Sequence, residues 1–247
     1  MPIRTLSIFV TLLVACLVFS CSSDPVGPED ITDMQAIDTV VVEGRVLEVY
    51  ATAPVISGYN GVALRVLENG EVVRNASLRI TPRFDLGTFH SSCPVIQPAG
   101  ADGRGLYASE IFFYMASDSA WSLNIDMVRD NQILYSFTVP VRVTSSPNAK
   151  LRKGADGIQW IVALDPNHSR VNVHQRISDM QFAIADDVKA TISTTVGTTE
   201  TPLASNLVID SRGWCTSPVP LPSGPLTINV DLQRDSSTIG RVLFVRE

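Results

Sequence analysis

Two stretches of the chain, residues 123–131 with the sequence LNIDMVRDN and residues 228–236 with the sequence INVDLQRDS, decide the fold. Apolar and polar residues alternate with period two in both, which is the pattern of a β-strand that has one face in a core. The two stretches also match each other, about 105 residues apart. They therefore predict a small β-domain that was duplicated once.

A second pair of matching segments supports the duplication. Residues 102–107 read DGRGLY, and residues 210–215 read DSRGWC, in the same order and at nearly the same offset. Further alternating segments are separated by groups of Gly, Asn, Asp and Pro, and no amphipathic helix follows the N-terminal region. Because two sheets packed face to face bury such strands well, the sequence predicts an all-β fold of two tandem immunoglobulin-like β-sandwich domains.

The N-terminus has the pattern of an export signal. Arg4 precedes an apolar run over residues 6–19, and the run ends at Cys21. Residues 18–21 resemble a lipobox, which implies a lipoprotein signal peptide and a palmitate-bearing lipid on Cys21. Alternatives are a lipobox that ends at Cys16, an ordinary cleaved signal peptide, and an uncleaved membrane-spanning helix.

Composition and local pattern divide the chain into five parts. They are a lipoprotein signal peptide (1–20), a flexible linker (21–38), a first β-sandwich (39–144), a second linker (145–156) and a second, degenerate sandwich (157–247). The net charge is −6, and no basic cluster extends beyond the adjacent Arg152 and Lys153. We therefore exclude nucleic acid as a partner and expect a membrane contact through the lipid, together with a protein partner in the envelope.

Motifs that would identify an enzyme are missing from the sequence. It contains three histidines, and it has no G-x-S-x-G, no H-E-x-x-H, no phosphate-binding loop and no G-x-G-x-x-G after a strand. We therefore predict a binding or structural module rather than an enzyme, with no catalytic residues.

One short segment groups residue types that bind metals. His90 and Cys93 lie in the sequence HSSCP, inside a long stretch over 82–104 without clear periodicity, and Met115 follows on the next strand. Imidazole, thiolate and thioether are donors that suit copper or zinc, so His90, Cys93 and Met115 are candidate metal ligands. The alternatives are a solvent-facing histidine beside a buried or paired cysteine, and a nucleophilic Cys93 with His90 as its base.

The remaining cysteines and aromatic residues admit simpler interpretations. Cys93 and Cys215 would either form an interdomain disulfide in an oxidising compartment or stay as two free thiols. His174 and Met180 would either be two ligands of a second site or be parts of a strand entry with an exposed histidine. The three tryptophans fall on strand-like segments, where we expect them to pack: Trp121, Trp160 and Trp214.

The first domain resembles the YtkA-like or FixH-like family of extracytoplasmic β-sandwich domains between residues 58 and 143. The resemblance rests on residues 61–65, 71–82, 90–94, 105–107, 112–115 and 119–123. It implies a lipid-anchored protein in the periplasm or at the outer membrane, and similar tandem lipoproteins carry a second-domain loop rich in Met, His and Gly that suggests copper. The corresponding loop here, residues 198–202, reads TTETP and has no soft ligand.

Two functions follow from these observations. The first is a lipid-anchored binding or scaffold protein linked to soft-metal handling through His90 and Cys93. The second is a purely structural or adhesive immunoglobulin-like module that binds a protein or glycan partner without metal.

Overall fold

The computed structural model describes residues 34–246, and these residues form two tandem immunoglobulin-like β-sandwiches. The predicted signal peptide (1–20), Cys21 and the linker up to residue 33 lie outside the described residues. Between Met34 and Arg246 the chain contains no helix of the length and apolarity that a membrane crossing needs. The all-β class predicted from the alternating pattern is confirmed.

The first sandwich consists of a six-stranded sheet, β1-β2-β3-β8-β7 with β4 paired to β3, and a four-stranded sheet, β10-β9-β5-β6. Its strands are β1 (Met34–Val42), β2 (Arg45–Thr52), β3 (Gly58–Glu68), β4 (Glu71–Val72), β5 (Ser77–Asp85), β6 (His90–Ser91), β7 (Val95–Ile96), β8 (Tyr107–Phe113), β9 (Ser117–Arg129) and β10 (Gln132–Val143). All strand pairs in these two sheets are antiparallel.

The second sandwich repeats this plan with a five-stranded sheet, β11-β12-β13-β14 with β17 paired to β13, and a four-stranded sheet, β16-β15-β18-β19. Its strands are β11 (Ala149–Lys153), β12 (Gln159–Asp165), β13 (Arg170–Ser178), β14 (Gln181–Ile184), β15 (Lys189–Val196), β16 (Thr199–Val208), β17 (Trp214–Thr216), β18 (Leu226–Arg234) and β19 (Ser237–Arg246).

The duplicated stretches form the equivalent central strands β9 and β18. On each strand the apolar residues of one face are buried in the core of that sandwich. Asp126 and Asp231 lie on the faces of these strands that are turned away from the cores. Asp126 forms an ion pair with Arg79 on β5, and Asp231 forms one with Arg241 on β19. The period-two pattern therefore gives the correct burial on β9, and on β18 except at Asn229, which is buried and donates hydrogen bonds to Ser193 and Thr195.

The DGRGL and DSRGW segments form the same turn in both sandwiches. Asp102 Oδ1 accepts hydrogen bonds from the amides of Arg104 and Leu106, at 2.8 and 2.9 Å. Asp210 Oδ1 accepts from the amides two and four residues later, both at 2.8 Å. Gly105 and Gly213 have φ values of +80° and +84°, a left-handed conformation that glycine adopts without strain.

Both predicted linkers contain residues of strands that belong to the sandwiches. β1 begins at Met34, inside the range 21–38, and β11 occupies residues 149–153 of the range 145–156. The connection between the domains is tied down, since Ser57 Oγ donates to the carbonyl of Ser146 and accepts from its amide, at 3.0 and 2.8 Å. The second connection is therefore an ordered part of the molecule.

The stretch 82–104, expected to be a long loop, contains the short strands β6 and β7. Its Gln97 side chain bonds both backbone groups of Ile80, with the amide nitrogen donating at 2.7 Å and the oxygen accepting at 2.8 Å. The Gln97 side chain thus makes the hydrogen bonds that a neighbouring strand would make at this edge of β5. This explains why the segment 82–104 is ordered although its sequence shows no alternation of apolar residues.

Candidate interdomain site and cleft

The two sandwiches contact each other through the outer faces of their larger sheets. On β8 the core side chains include Tyr107, Ile111 and Phe113, so the alternate residues Glu110 and Phe112 point away from that core. Both are nevertheless buried, because the second sandwich covers them. Residues that alternate out of a core and are still buried mark this face as an interface.

An aromatic cluster forms the apolar part of the interface. Trp214 of the second sandwich lies against Tyr59 and Phe112 of the first, with ring centroids 5.4 and 5.3 Å apart and edge-to-face geometry. Ala163 and Ile96 complete the cluster. Pairs of this geometry contribute about 0.5–1.5 kcal/mol beyond the area that they bury, so Trp214 is the main apolar anchor between the domains.

Glu110 provides the polar part of the interface. Its side chain is 1% exposed, and one carboxylate oxygen accepts a hydrogen bond from the Trp214 indole nitrogen at 3.0 Å. The other oxygen forms an ion pair of 2.7 Å with Arg212. Burial raises the pKa of Glu110, and the bonds from Trp214 and Arg212 oppose that rise. Each carboxylate oxygen therefore has a partner from the other domain.

A second ion pair lies beside the aromatic cluster. The guanidinium of Arg170 stacks 4.0 Å from the centroid of the Trp214 ring, and its Nε donates to buried Asp165 at 2.9 Å. Tyr59 lies on the same guanidinium, and burial raises its pKa to about 12. The cation–π contacts and the carboxylate together fix the position of Arg170.

His174 is buried at the margin of the same interface, whereas one of the two sequence interpretations was a prediction that it is an exposed histidine at a strand entry. It is 5% exposed, the centroid of its ring lies 5.6 Å from that of Phe112, and its Nδ1 has no hydrogen-bond partner in the part of the chain that the structure describes. Burial lowers the pKa of His174 to about 4. The prediction was wrong because β13 alternates Val171 and Val173 into its own core and presents His174 to the neighbouring domain.

Further hydrogen bonds join the domains at the turn between β13 and β14. The carbonyl of Asp179, in the turn between β13 and β14, accepts from the Ser92 amide and from the Ser91 hydroxyl, both at 2.9 Å. Ser91 Oγ also lies 2.6 Å from the hydroxyl of Tyr114. The 90–94 segment thus serves as a docking point for the second domain.

A cleft with a volume of about 690 Å³ lies between these two groups of contacts. Both domains contribute to its lining, which includes apolar side chains together with Ser92, Gln97, His174 and Arg212. Ile177 and Met180 at its rim are 56% and 43% exposed. A concave site that combines apolar side chains with polar groups is suited to ligand binding, and the cleft is our candidate site.

The three candidate metal ligands have different environments. His90 is exposed, and its Nδ1 lies 3.2 Å from Asp85 Oδ1. Cys93 is buried in the core of the first sandwich, and burial raises the pKa of its thiol well above the ordinary value. Met115 packs against that core. Residues 34–246 contain no group of three or more His, Cys, Asp or Glu side chains arranged to hold a metal ion.

Cys93 and Cys215 are both free thiols, and they belong to different cores. Cys215 donates a hydrogen bond of 3.3 Å to the carbonyl of Val171, and burial raises its pKa to about 12. The sequence left open an interdomain disulfide or two free thiols, and in the structure Cys93 and Cys215 are two free thiols.

Sequence reasoning assigned Trp121, Trp160 and Trp214 to packing, which agrees with the burial of the first two in the cores and of Trp214 at the interface. It did not find the interface itself or the parts that Glu110 and Arg212 have in it. One signal was present: residues 160–164 and 111–113 are continuous apolar runs rather than alternating ones. Such runs indicate strands that are covered on both faces, which here means a second domain.

Comparisons with known proteins identify no family. No family model matches the chain, and no curated protein matches it.

Among solved structures the chain is similar to FdeC, described as a broadly conserved Escherichia coli adhesin eliciting protection against urinary tract infections. The identity is 12%, the alignment covers 81% of this chain and 63% of that chain, and the TM-score is 0.26. It is also similar to the Yersinia pseudotuberculosis adhesin InvE, with 13% identity, coverage of 87% and 59%, and a TM-score of 0.29. The chain thus spans about three fifths of the length of these structures. Similarity at this level establishes no shared function.

Proposed function

We propose that this protein is a non-enzymatic binding or scaffold module of the cell envelope, in which two fixed sandwiches present one composite surface to a protein partner. The observation that carries the proposal is the buried hydrogen bond from Trp214 to Glu110 across the domain boundary. Domains joined by a short linker alone sample many orientations. A specific buried polar contact selects one of them, so the cleft is already formed before a partner arrives.

The chemistry of the cleft favours binding over catalysis. Its lining offers apolar side chains, amides and hydroxyls, and its one charged residue, Arg212, is already paired with Glu110. His174 has its pKa lowered to about 4, and it is neutral at neutral pH. These groups suit recognition of a macromolecular surface through shape and hydrogen bonds.

A lipid on Cys21 would hold this module at the membrane, in the periplasm or at the outer membrane. The support is the sequence of residues 18–21, which resembles a lipobox. Metabolic labelling with a palmitate analogue tests this part. Label should enter the full chain and should be lost in Cys21→Ser, whereas Cys16→Ser should keep it; label that survives Cys21→Ser contradicts the assignment.

Site-specific photo-crosslinking in the producing cells tests the binding role. A photoreactive side chain at Ile177 or Met180 should yield an adduct with an envelope protein. The same group at Leu243 or Val245, which are similarly exposed on β19, should not. Introducing Trp214→Ala should lower the yield at the cleft by releasing the domains. Equal yields at both surfaces, or no adduct at the cleft, would count against the proposal.

Soft-metal handling finds less support than binding without metal. The Cys93 thiol lies in an apolar core, where burial raises its pKa and disfavours the thiolate that copper or zinc requires. The exposed His90 has Asp85 as its partner. We therefore favour the structural or adhesive alternative and expect the 90–94 segment to act by docking the domains.

A further inference from the structure

One sheet of the second sandwich ends in an unprotected strand edge. β14 pairs with β13, and no other strand of the described residues covers its outer side. Among residues 34–246, no partner outside β13 forms a hydrogen bond that involves the backbone of residues 181–184. Its sequence, QFAI, contains no charge and no proline. An edge of this kind is a template for pairing with another chain.

Two other edges among the described residues, those of β16 and β5, carry features that normally prevent such pairing. β16, the edge of the neighbouring sheet, contains Pro202 and Glu200 and has two register shifts against β15. On β5, the Gln97 side chain bonds the backbone amide and carbonyl of Ile80. The Ser92 hydroxyl donates to the Pro82 carbonyl at 2.6 Å. These two edges are protected in ways that β14 is not, so the edge of β14 is more open to pairing than either of them.

The open edge borders the interdomain cleft. Gln181, Phe182 and Ile184 of β14 line the cleft, and so do Val95 and Ile96 of the first sandwich. A segment that paired with β14 would therefore direct alternate side chains towards an apolar wall. Ile177 and Met180 extend that wall to the rim.

Two polar groups in the cleft point to the character of the segment. His174 is 95% buried and belongs to the lining, and its Nδ1 has no hydrogen-bond partner within residues 34–246. Arg212 bonds Glu110 through Nη2, and its side chain is 28% exposed, while no Asp or Glu belongs to the lining. The lining thus offers an acidic side chain the exposed part of the Arg212 guanidinium that Glu110 does not occupy, and the lining itself contains no carboxylate.

We infer that the cleft binds an extended peptide segment of a partner protein, apolar at alternate positions and carrying an acidic side chain, which adds a strand to the open edge of β14. This inference rests on the proposed binding function and names the partner class for the same cleft. Backbone hydrogen bonds to β14 provide the affinity, and the apolar wall and Arg212 select the sequence. The four residues of β14 limit the recognised segment to a short stretch.

Synthetic hexapeptides that alternate Val or Ile with Thr and contain one Glu are the probes. Fluorescence anisotropy with the chain lacking residues 1–21 should detect binding. Two matched peptides serve as controls, one N-methylated at alternate amides and one with Glu replaced by Lys. N-methylation on the pairing edge should weaken binding roughly tenfold or more, because it removes backbone donors. The Lys peptide should also bind more weakly.

Amide exchange locates the binding site. The amides of residues 181–184 should gain protection with the peptide, and those of residues 199–208 on β16 should not. Ile177→Lys with Met180→Lys should weaken binding at least severalfold, while Leu243→Lys with Val245→Lys should leave it unchanged. Equal affinity of methylated and unmethylated peptides, protection on β16 alone, or no binding by any probe would overturn the inference. A crosslink from Ile177 that persists without peptide binding would leave the proposed function standing, whereas loss of both would remove both.

Discussion

Trp214 donates a hydrogen bond of 3.0 Å from its indole nitrogen to Glu110, a residue 104 positions earlier in the chain and in the other sandwich. Both side chains are almost fully buried. Breaking this contact would expose the Trp214 ring and leave a carboxylate without its donor, so separation of the domains is costly.

Removing the ring should release the domains from each other. Trp214→Ala should destabilise the protein by about 3 kcal/mol, since it deletes a large buried side chain and a hydrogen bond. It should also increase the radius of gyration measured by small-angle X-ray scattering. An unchanged scattering curve would show that the interface does not depend on Trp214.

The duplicated turn provides a matched pair of arginines as a control. Arg212 reaches across the interface to Glu110, whereas its counterpart Arg104 pairs with Asp102 in its own turn. Arg212→Ala should broaden the distribution of domain orientations, and Arg104→Ala should not. If both variants behave alike, the ion pair to Glu110 has no role in fixing the domains.

The turn carboxylates should be important for stability in both sandwiches. Asp102→Ala and Asp210→Ala each leave two turn amides without their acceptor, and each should cost about 1–3 kcal/mol in chemical denaturation. Although burial alone would raise the pKa of Asp102, hydrogen bonds from Leu106 and Arg104 outweigh it and lower that pKa. Its contribution is therefore present above the unfolded pKa of about 4 and is lost as the pH falls through the folded value. A wild-type acid profile that Asp102→Ala leaves unchanged would contradict this.

Period-two alternation and the internal match were sufficient to predict strands such as β9, because one face of that strand meets a core and the other is turned towards solvent. The interface could not be predicted in the same way, since it joins residues such as Glu110 and Trp214 that no local pattern relates. The open edge of β14 could not be predicted from the sequence either. A short apolar segment indicates a strand, but its open side depends on which neighbours the topology provides.

Both thiols should be inert in the native protein. Burial raises the pKa of Cys93 well above its ordinary value and that of Cys215 to about 12, so neither forms much thiolate at pH 8. A chain that begins at residue 22 should react with a thiol reagent only after denaturation, and it should have the same mass with and without reductant.

Copper binding can be measured on the same protein. Titration with Cu(I) should give equal stoichiometry for the wild type and the double variant His90→Ala, Cys93→Ser, because Cys93 is in the core and His90 is at the surface. A metal equivalent that only the wild type binds would restore the soft-metal hypothesis.

His174 should make the protein sensitive to acid. Burial lowers its pKa to about 4 from an unfolded value of 6.5, so the unfolded state binds the proton more tightly. The free energy of unfolding should therefore begin to fall as the pH drops below 6.5 and should continue to fall down to pH 4. The contribution of His174 to this loss should be roughly 2–3 kcal/mol. Glu110 at the same interface has a raised pKa, so its contribution to stability increases as the pH falls. A variant at His174 alone therefore separates the effect of His174 from that of Glu110. We expect His174→Phe to keep the ring contact with Phe112 and to lose less stability than the wild type between pH 7.5 and pH 4.5 in urea denaturation, whereas the exposed control His90→Gln should follow the wild type. Parallel profiles for all three proteins would mean that His174 is already solvated in the native state.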